Sequence, residues 1–444
     1  MVREAISSFL ELLFPRGTRR YFFASVVADA YRFPKTIPTI ISNLIRHKEL
    51  YGLQSPCASS NGTRLLFIED VLPDPRIGGG APRTCQILDV LVGQGFQITF
   101  IPLIPNKALN PSVARFRVAG VEILFGVTPA ERPVVTSLLK LRKNYYTVII
   151  VSRPTNLKRL YATLRHYQGN ALVVYDAEAV FALRQIMHRK LIGKPLAART
   201  EKRLVEQELG LARKADSVMA VSDAEANLFR GYGCPKVAVV GHTVPIRPSK
   251  APFSERSGIL FAGPILSSPS PNEDAVIFFI TDVLPLIRRQ MDVGFTIVGP
   301  NSSKRVQAYQ TDIVKVVGMV DDLTPFYNSN KIFAAPTRYS AGVPLKVYDA
   351  AANGIPVVAT PLLCSQLGWY PEKEILCGST AEEFALACIR LLSDQTIWLQ
   401  IRNNALEKVR RVCDISGFSQ QLLSAIGSSS EKLPKKTFAK YGRV

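Results

Sequence analysis

No apolar stretch in this 444-residue chain approaches the ~18 residues that a membrane-spanning helix needs. The longest runs, such as Tyr145–Ser152 and Ala171–Tyr175, fall well short of it. The first residues show no short apolar core followed by a small-residue cleavage site, so no secretion signal is read there. Paired cysteines are also missing. The seven cysteines are scattered, odd in number and never spaced CxxC, which argues against a disulfide framework or a zinc site and suits free thiols in a reducing cytoplasm. The four histidines (His47, His166, His188, His242) have no ligand spacing. Acid is scarce relative to base: 35 Asp and Glu face 55 Lys and Arg, a net charge of +20 and a pI of about 9.7. Such a field draws anions, whether nucleic acid, anionic lipid or phosphorylated substrates. No nucleic-acid reading helix or stacking-aromatic motif accompanies the charge, so nucleic acid is not an expected partner. What is present is 47% apolar and 20% charged residues, the composition of a folded protein, with length enough for two or three domains.

The first sixty residues read differently from the rest. Apolar clusters such as Leu12-Leu13-Phe14 and Leu44-Ile45 alternate with Arg16, Arg19, Arg20, Arg32, Lys35, Arg46 and Lys48. The pattern predicts two or three amphipathic helices broken near Pro34 and Pro38. From Arg64 a regular alternation begins. Short apolar strands are predicted at Leu65–Glu69, Gln97–Leu103, Val121–Phe125, Thr147–Val151, Leu172–Tyr175, Ser217–Val221 and Val237–Val240, with helical patterns between several of them. Pro245–Arg256, with three prolines, reads as a linker. A second alternation follows, with strands at Ile259–Ala262, Phe295–Val298, Val314–Val317, Ile332–Ala335 and Val357–Ala359. Its helices are expected at Asn272–Gln290, Pro344–Asn353, Glu382–Leu392 and Ile397–Ile426. Continuous Val/Ile runs joined by helices predict parallel sheets covered on both faces. The expected fold is α/β, two doubly wound Rossmann-like domains facing a central cleft, where ligands bind at the carboxyl ends of the strands. The expected divisions are a basic extension (1–60), a first domain (61–250), a second domain (256–426) and a basic tail (427–444).

The most informative segment is Pro336–Thr360. A strand ends at Ala335, a glycine-containing loop follows, and a helix begins near Pro344. Free backbone N–H groups and the positive end of the helix dipole suit a diphosphate there. Lys346 lies in the first turn, within reach of the same anion, and Asp349, three residues on, suits the two hydroxyls of a ribose. The segment resembles the donor-binding motif of retaining family-4 glycosyltransferases, whose usual form has two glutamates separated by seven residues. Asp349 matches the second, and Ala341 stands where the first would be. A subgroup with a Gly-rich loop followed by Leu-Lys-apolar-apolar-acid lacks that first glutamate too. The resemblance covers about 64–426 and is most specific over 258–368. It implies the two-domain GT-B architecture, a nucleotide-diphosphate sugar as donor, no cofactor and no metal. Backbone groups of Ala341, Gly342 and Val343 then stand in for the absent glutamate.

Three further segments fit the same reading. Leu66–Arg83 is a strand followed by three glycines, of which Gly79 and Gly80 are expected near the donor, with Arg83 as either a phosphate contact or a surface cap. In Val173–Arg184 a strand ends in Asp176 and Glu178; these acids are expected to orient the acceptor hydroxyl, unless Asp176 caps a helix. Arg184 is expected on a phosphate or paired with Glu178. Ile259–Pro264 with Pro271–Ala275 resembles the start of the family's second domain, with Gly263 near the donor, Pro264 in place of the usual arginine, and Asn272 as a helix cap. Asp321-Asp322 reads as a capping pair before Leu323–Tyr327, since adjacent carboxylates diverge.

The resulting expectation is a cytoplasmic, hexosyltransferase-like enzyme, peripheral to the inner membrane face and acting on a glycan or lipid-linked acceptor. A nucleotide-sugar epimerase and a non-catalytic sugar-nucleotide-binding module are the alternatives. Basic residues near an anionic bilayer are worth about 1 kcal/mol each. Liposome sedimentation is therefore expected to show binding to anionic vesicles only, weakened by salt and by deletion of residues 1–50. Equal, negligible binding to anionic and neutral vesicles would dismiss the membrane expectation.

Overall fold

The computed structural model describes residues 62–75, 80–104, 112–124 and 132–428. The amphipathic segment expected over 1–60, Gly79, and the tail from 429 on lie outside those residues.

Two parallel sheets account for the alternation in the sequence. The first contains β1 (Arg64–Glu69), β2 (Gln97–Pro102), β3 (Glu122–Ile123), β4 (Val148–Ser152), β5 (Leu172–Asp176), β6 (Ser217–Ala220) and β7 (Val237–Val239), in the order β3-β2-β1-β4-β5-β6-β7. The second contains β8 (Ile259–Ala262), β9 (Phe295–Val298), β10 (Val314–Gly318), β11 (Ile332–Ala335), β12 (Val357–Ala359) and β13 (Leu376–Cys377), in the order β10-β9-β8-β11-β12-β13. In each sheet the order reverses partway through, the signature of double winding, and the loops after the strands on either side of that reversal form a natural ligand crevice. The central strands are apolar without alternation because both of their faces are covered: Leu65 to Ile68, Ile259 to Phe261 and Ile332 to Ala335 are all without exposure.

Among the described residues, compact packing groups 62–72, 95–104, 112–124, 132–150 and 158–172 in one unit and 73–75, 80–94, 151–157 and 173–428 in another. The glycine-loop helix Ala81–Gly93 and β6 thus belong to the same unit as the second sheet. The C-terminal helix Ile415–Ala425 packs on that helix and on β6 and β7.

Three sequence expectations are modified. The segment predicted as the single helix Asn272–Gln290 starts at Pro271 and runs to Phe278, widens into a π turn over Phe279–Val283, and resumes over Leu284–Arg288. Pro285 explains the widening, because it has no N–H to continue the i→i−4 ladder. The helical region expected over Ile397–Ile426 is two helices, Gln395–Val412 and Ile415–Ala425, the second capped by Asp414.

The third concerns Pro245–Arg256, which is tied down along its length. Arg247 and Ser249 donate their N–H groups to Ala352 O (3.0 Å) and Asn353 O (2.9 Å). Arg402 donates to Ser249 O (2.9 Å) and Gly354 O (3.1 Å), and Arg256 donates to Ala251 O (3.0 Å) and Gly354 O (3.4 Å). Both guanidiniums flank the Trp398 ring, 5.1 and 5.7 Å from its centroid. Two cations thus meet the carbonyl end of the helix Leu345–Ala352, where its dipole favours them. This anchors the far end of the helix whose first turn carries Lys346.

Candidate active site

β11 ends at Ala335, and residues 336–344 form a loop that leads into the helix Leu345–Ala352. Hydrogen bonds from several elements hold the loop. Thr360 Oγ1 donates to Thr337 O (2.6 Å), and Ser340 exchanges two hydrogen bonds with the Gln366 amide (2.9 and 3.2 Å). Arg338 forms a two-pronged ion pair with Asp274 (3.0 and 2.5 Å). Gly342 sits at φ 79°, and a Cβ there would lie 3.0 Å from Glu178 O, so both backbone angle and space call for glycine.

From the first turn of the helix, Lys346 Nζ donates to Asn272 Oδ1 (2.7 Å) and Thr337 Oγ1 (2.9 Å) and lies 4.8 Å from the Phe261 ring centroid. Asn272 is aimed by its own amide nitrogen, which donates to Pro264 O (2.8 Å). Ser270, not Asn272, caps that helix, by accepting from Glu273 N. Asn272 is therefore free of the capping role the sequence suggested and serves the lysine. Asp349 lies one turn further along the same pocket wall, with Gly263, Gly299, Ala341 and Val343. Pro75 and Pro82, flanking the glycine loop, also reach this pocket. Gly299, at φ 131°, approaches Gly263 so closely that a Cβ would stand 2.6 Å from its carbonyl oxygen. The pocket floor is thus bare backbone.

Burial shapes the charge of this site. Lys346 has neutral oxygens as partners, and desolvation pulls its ammonium down from 10.5 to about 7. Desolvation likewise pushes the Asp349 carboxyl up from 3.8 to about 7.

The other expected residues divide into two groups. Gly80 and Glu178 come together: a Cβ on Gly80 would lie 3.2 Å from the Glu178 carboxylate. Glu178 is in the left-handed region (φ 55°) and pairs at 3.3 Å with Arg153, which is left-handed too (φ 73°). Two strained non-glycine residues in one ion pair are the kind of backbone irregularity that clusters at functional sites. Asp176 and Arg83 instead lie against each other in the interior, Nη1 to Oδ1 at 2.8 Å, with 0% and 1% of their side chains exposed. Ser152 Oγ donates to the other Asp176 oxygen (3.1 Å), and Arg83 Nε donates to Val240 O (2.8 Å). Arg83 is therefore neither a surface cap nor on the pocket wall, and Asp176 caps no helix, since the next one starts at Phe181. Arg184 is exposed and stacks over Phe181, 5.1 Å from the ring centroid, while Glu178 takes Arg153 as its partner. Asp322 Oδ1 accepts from Thr324 N (2.9 Å), but the helix Thr324–Ser329 has Leu323 as its N-cap and no side-chain capping bond, so the expected capping pair is not formed. Among the described residues no three His, Cys, Asp or Glu side chains gather as a metal-binding set.

Sequence reasoning missed Thr337, Gln366, Arg153 and Glu225. Thr337 and Gln366 carried a weak signal, since both follow the carboxyl ends of predicted strands. Arg153 and Glu225 carried none, because their roles come from contacts 25 and 117 residues away.

Residues 256–394 match a family model described as glycosyl transferases group 1. No curated protein matches the chain. Among solved structures, HepE of Anabaena in complex with UDP-glucose superposes with a TM-score of 0.61 at 16% identity, over 82% of this chain and 99% of that one. Sucrose-phosphate synthase of Thermosynechococcus elongatus gives 0.60 at 16% identity over 82% and 98%. A glycosyltransferase of Rickettsia africae gives 0.59 at 14% identity over 82% and 98%.

The state of Lys346 can be read directly. An NMR titration of the methylated lysines is expected to show one that loses its proton as pH rises through about 7, and this signal should vanish in Lys346→Arg. Below that pH the pocket is cationic; above it the attraction for an anion fades. A Lys346 midpoint near 10.5 would contradict the desolvated site. The chain has the fold of GT-B glycosyltransferases, and its residues 256–394 match the group 1 glycosyl transferase model.

Proposed function

We propose that the protein transfers a sugar, with retention at the anomeric carbon, from a nucleotide-diphosphate sugar to a glycan or lipid-linked acceptor. The observation that carries this reading is the Lys346 ammonium, held by Asn272 and Thr337 at the start of the helix Leu345–Ala352 and one turn from Asp349. As the bond from the sugar to the diphosphate breaks, negative charge grows on the leaving oxygen. A preorganised ammonium and the positive end of the helix dipole stabilise that charge in a site partly shielded from water. Because Lys346 is desolvated, arrival of the dianion raises its proton affinity, so the charge is fully present when it is needed. Asp349 holds the ribose through its carboxylate. Glu178, set against the glycine loop, orients the acceptor hydroxyl, and the buried Asp176–Arg83 pair holds the β5 end that presents it. HepE is described in complex with UDP-glucose, which supports UDP-sugars as the first donors to try here.

A thermal-shift panel of UDP-, GDP- and ADP-linked sugars tests the donor site, and turnover of the best binder tests the reaction. Lys346→Ala is expected to cut turnover by about 10²–10³-fold, the scale of losing one transition-state charge contact. Near-normal turnover by a folded variant would remove Lys346 from the mechanism.

The charge compensation proposed is supplied by protein groups alone. Activity is therefore expected to persist in excess EDTA. Loss on chelation, restored by magnesium or manganese, would show that a metal shares the diphosphate.

A further inference from the structure

The donor-side loop Thr337–Pro344 is pinned on both flanks of Ala341. On one side Ser340 is bound by Gln366. On the other, Gly342 N–H donates to Glu225 Oε1 (3.2 Å). The same oxygen also accepts from Val180 N (3.2 Å), in the turn that carries Glu178. One carboxylate oxygen therefore holds two separate loops, and the contact is tight: a Cβ on Gly342 would meet Glu178 O at 3.0 Å and Ala179 Cβ at 3.3 Å.

Glu225 is well placed to do this. It is 7% exposed and sits in the first turn of the helix Asp223–Gly231, where Ser222 Oγ accepts from its N–H. A glutamate at this position ordinarily turns back to close the capping box. Here its carboxylate reaches out to the two loops instead. Its second oxygen, Oε2, is buried and has no hydrogen-bond partner among the described residues. A buried carboxylate left half-satisfied costs stability, and such a group calls for an explanation. Glu208 shows the ordinary alternative nearby: its two oxygens take Phe181 N (2.9 Å) and Ala182 N (2.7 Å), simply holding the start of the helix Phe181–Leu191.

The bond to Gly342 also divides the loop's donors. Ala341 and Val343 line the pocket, and neither N–H has a partner among the described residues, whereas the N–H between them is taken. Among the described residues, the middle N–H is committed to Glu225, which leaves the two beside it as the loop's uncommitted donors.

We infer that Glu225 is a positioning residue of the donor site, which draws the Gly342 N–H away from the pocket and registers the Ala341 and Val343 N–H groups for the donor against the Glu178 turn. The inference rests on the donor-site reading proposed above. It also narrows that reading: of the three backbone groups expected to stand in for the missing glutamate, two remain available and the third is structural.

The test compares three variants of the full chain. Glu225→Gln keeps an acceptor oxygen at the Oε1 position. Glu225→Asp is one methylene too short to reach both loops. Glu225→Ala removes the acceptor. The probe is whichever of UDP-glucose, GDP-mannose or ADP-glucose binds the wild type. Misplacement by about 1 Å can cost 10²-fold, so kcat/KM is expected to fall on that order in Glu225→Ala and about tenfold in Glu225→Asp, with Glu225→Gln within about threefold of wild type. The thermal unfolding midpoint of Glu225→Asp is expected to stay close to the wild-type value, which a purely structural role would not allow alongside lost activity. Wild-type kinetics in Glu225→Asp, or equal losses in Glu225→Gln and Glu225→Asp, would overturn the inference while leaving the donor site standing. A wild type silent towards all three probes would overturn the donor reading and the inference with it.

Discussion

An ammonium that has lost its water and gained only neutral partners is the constraint around which the site is built. Lys346 gives up hydration for the Asn272 amide and the Thr337 hydroxyl, so its proton is weakly held. That arrangement is poor for stability and well suited to receiving an anion. A carboxylate partner would have neutralised the charge in advance, and full hydration would have screened it. The surrounding structure is arranged to hold the lysine in this state. Pro264 O aims the Asn272 amide, Thr360 fixes the backbone of Thr337, and the two arginines stacked on Trp398 fix the other end of the lysine's helix.

The same economy of charge recurs around the β5 end. Four acids lie close in sequence or space, and each is used differently. Asp176 is neutralised outright by Arg83 in the interior. Glu208 is shared between two N–H groups that begin a helix. Glu225 bridges two loops through one oxygen. Glu178 alone combines a left-handed backbone, a partly exposed arginine partner and proximity to the glycine loop. Burial lifts the Glu225 carboxyl above its ordinary value, and the nearby Glu208 carboxylate adds to the rise.

How much of this was legible in the sequence depends on range. The two sheets followed from runs such as Leu65–Ile68 and Ile332–Ala335, because a strand buried on both faces has to be continuously apolar. Lys346, Asp349 and Gly342 were legible because a strand–loop–helix unit of some twenty residues places them by local geometry alone. The role of Asp176 was not. A strand-end acid reads the same whether it faces a ligand or a buried arginine, and only the placement of Arg83, 93 residues earlier, distinguishes the two. The attachments of Pro245–Arg256 were hidden for a related reason: three prolines and few apolar residues mark a linker but do not reveal that distant arginines hold it. Asn272 was misassigned because Ser270 and Asn272 are both good caps, and the choice between them was made by the lysine 74 residues further on.

Ala341, where the resembled motif carries a glutamate, is the point where local reading and tertiary structure meet. A loop that carries its own acid needs little outside help to present it. A loop that offers only backbone N–H groups has no rotamer to select and no charge to steer it, so its ligand-facing direction has to be imposed by its neighbours. Gln366 and Glu225 impose it from opposite flanks, and the glycine between them is forced by φ and by the carbonyl of Glu178. A backbone donor set of this kind is less exposed to pH than a side-chain acid, since peptide N–H groups do not titrate. The site's sensitivity to pH is then concentrated in Lys346 and Asp349, whose proton affinities burial has brought from opposite sides to about 7.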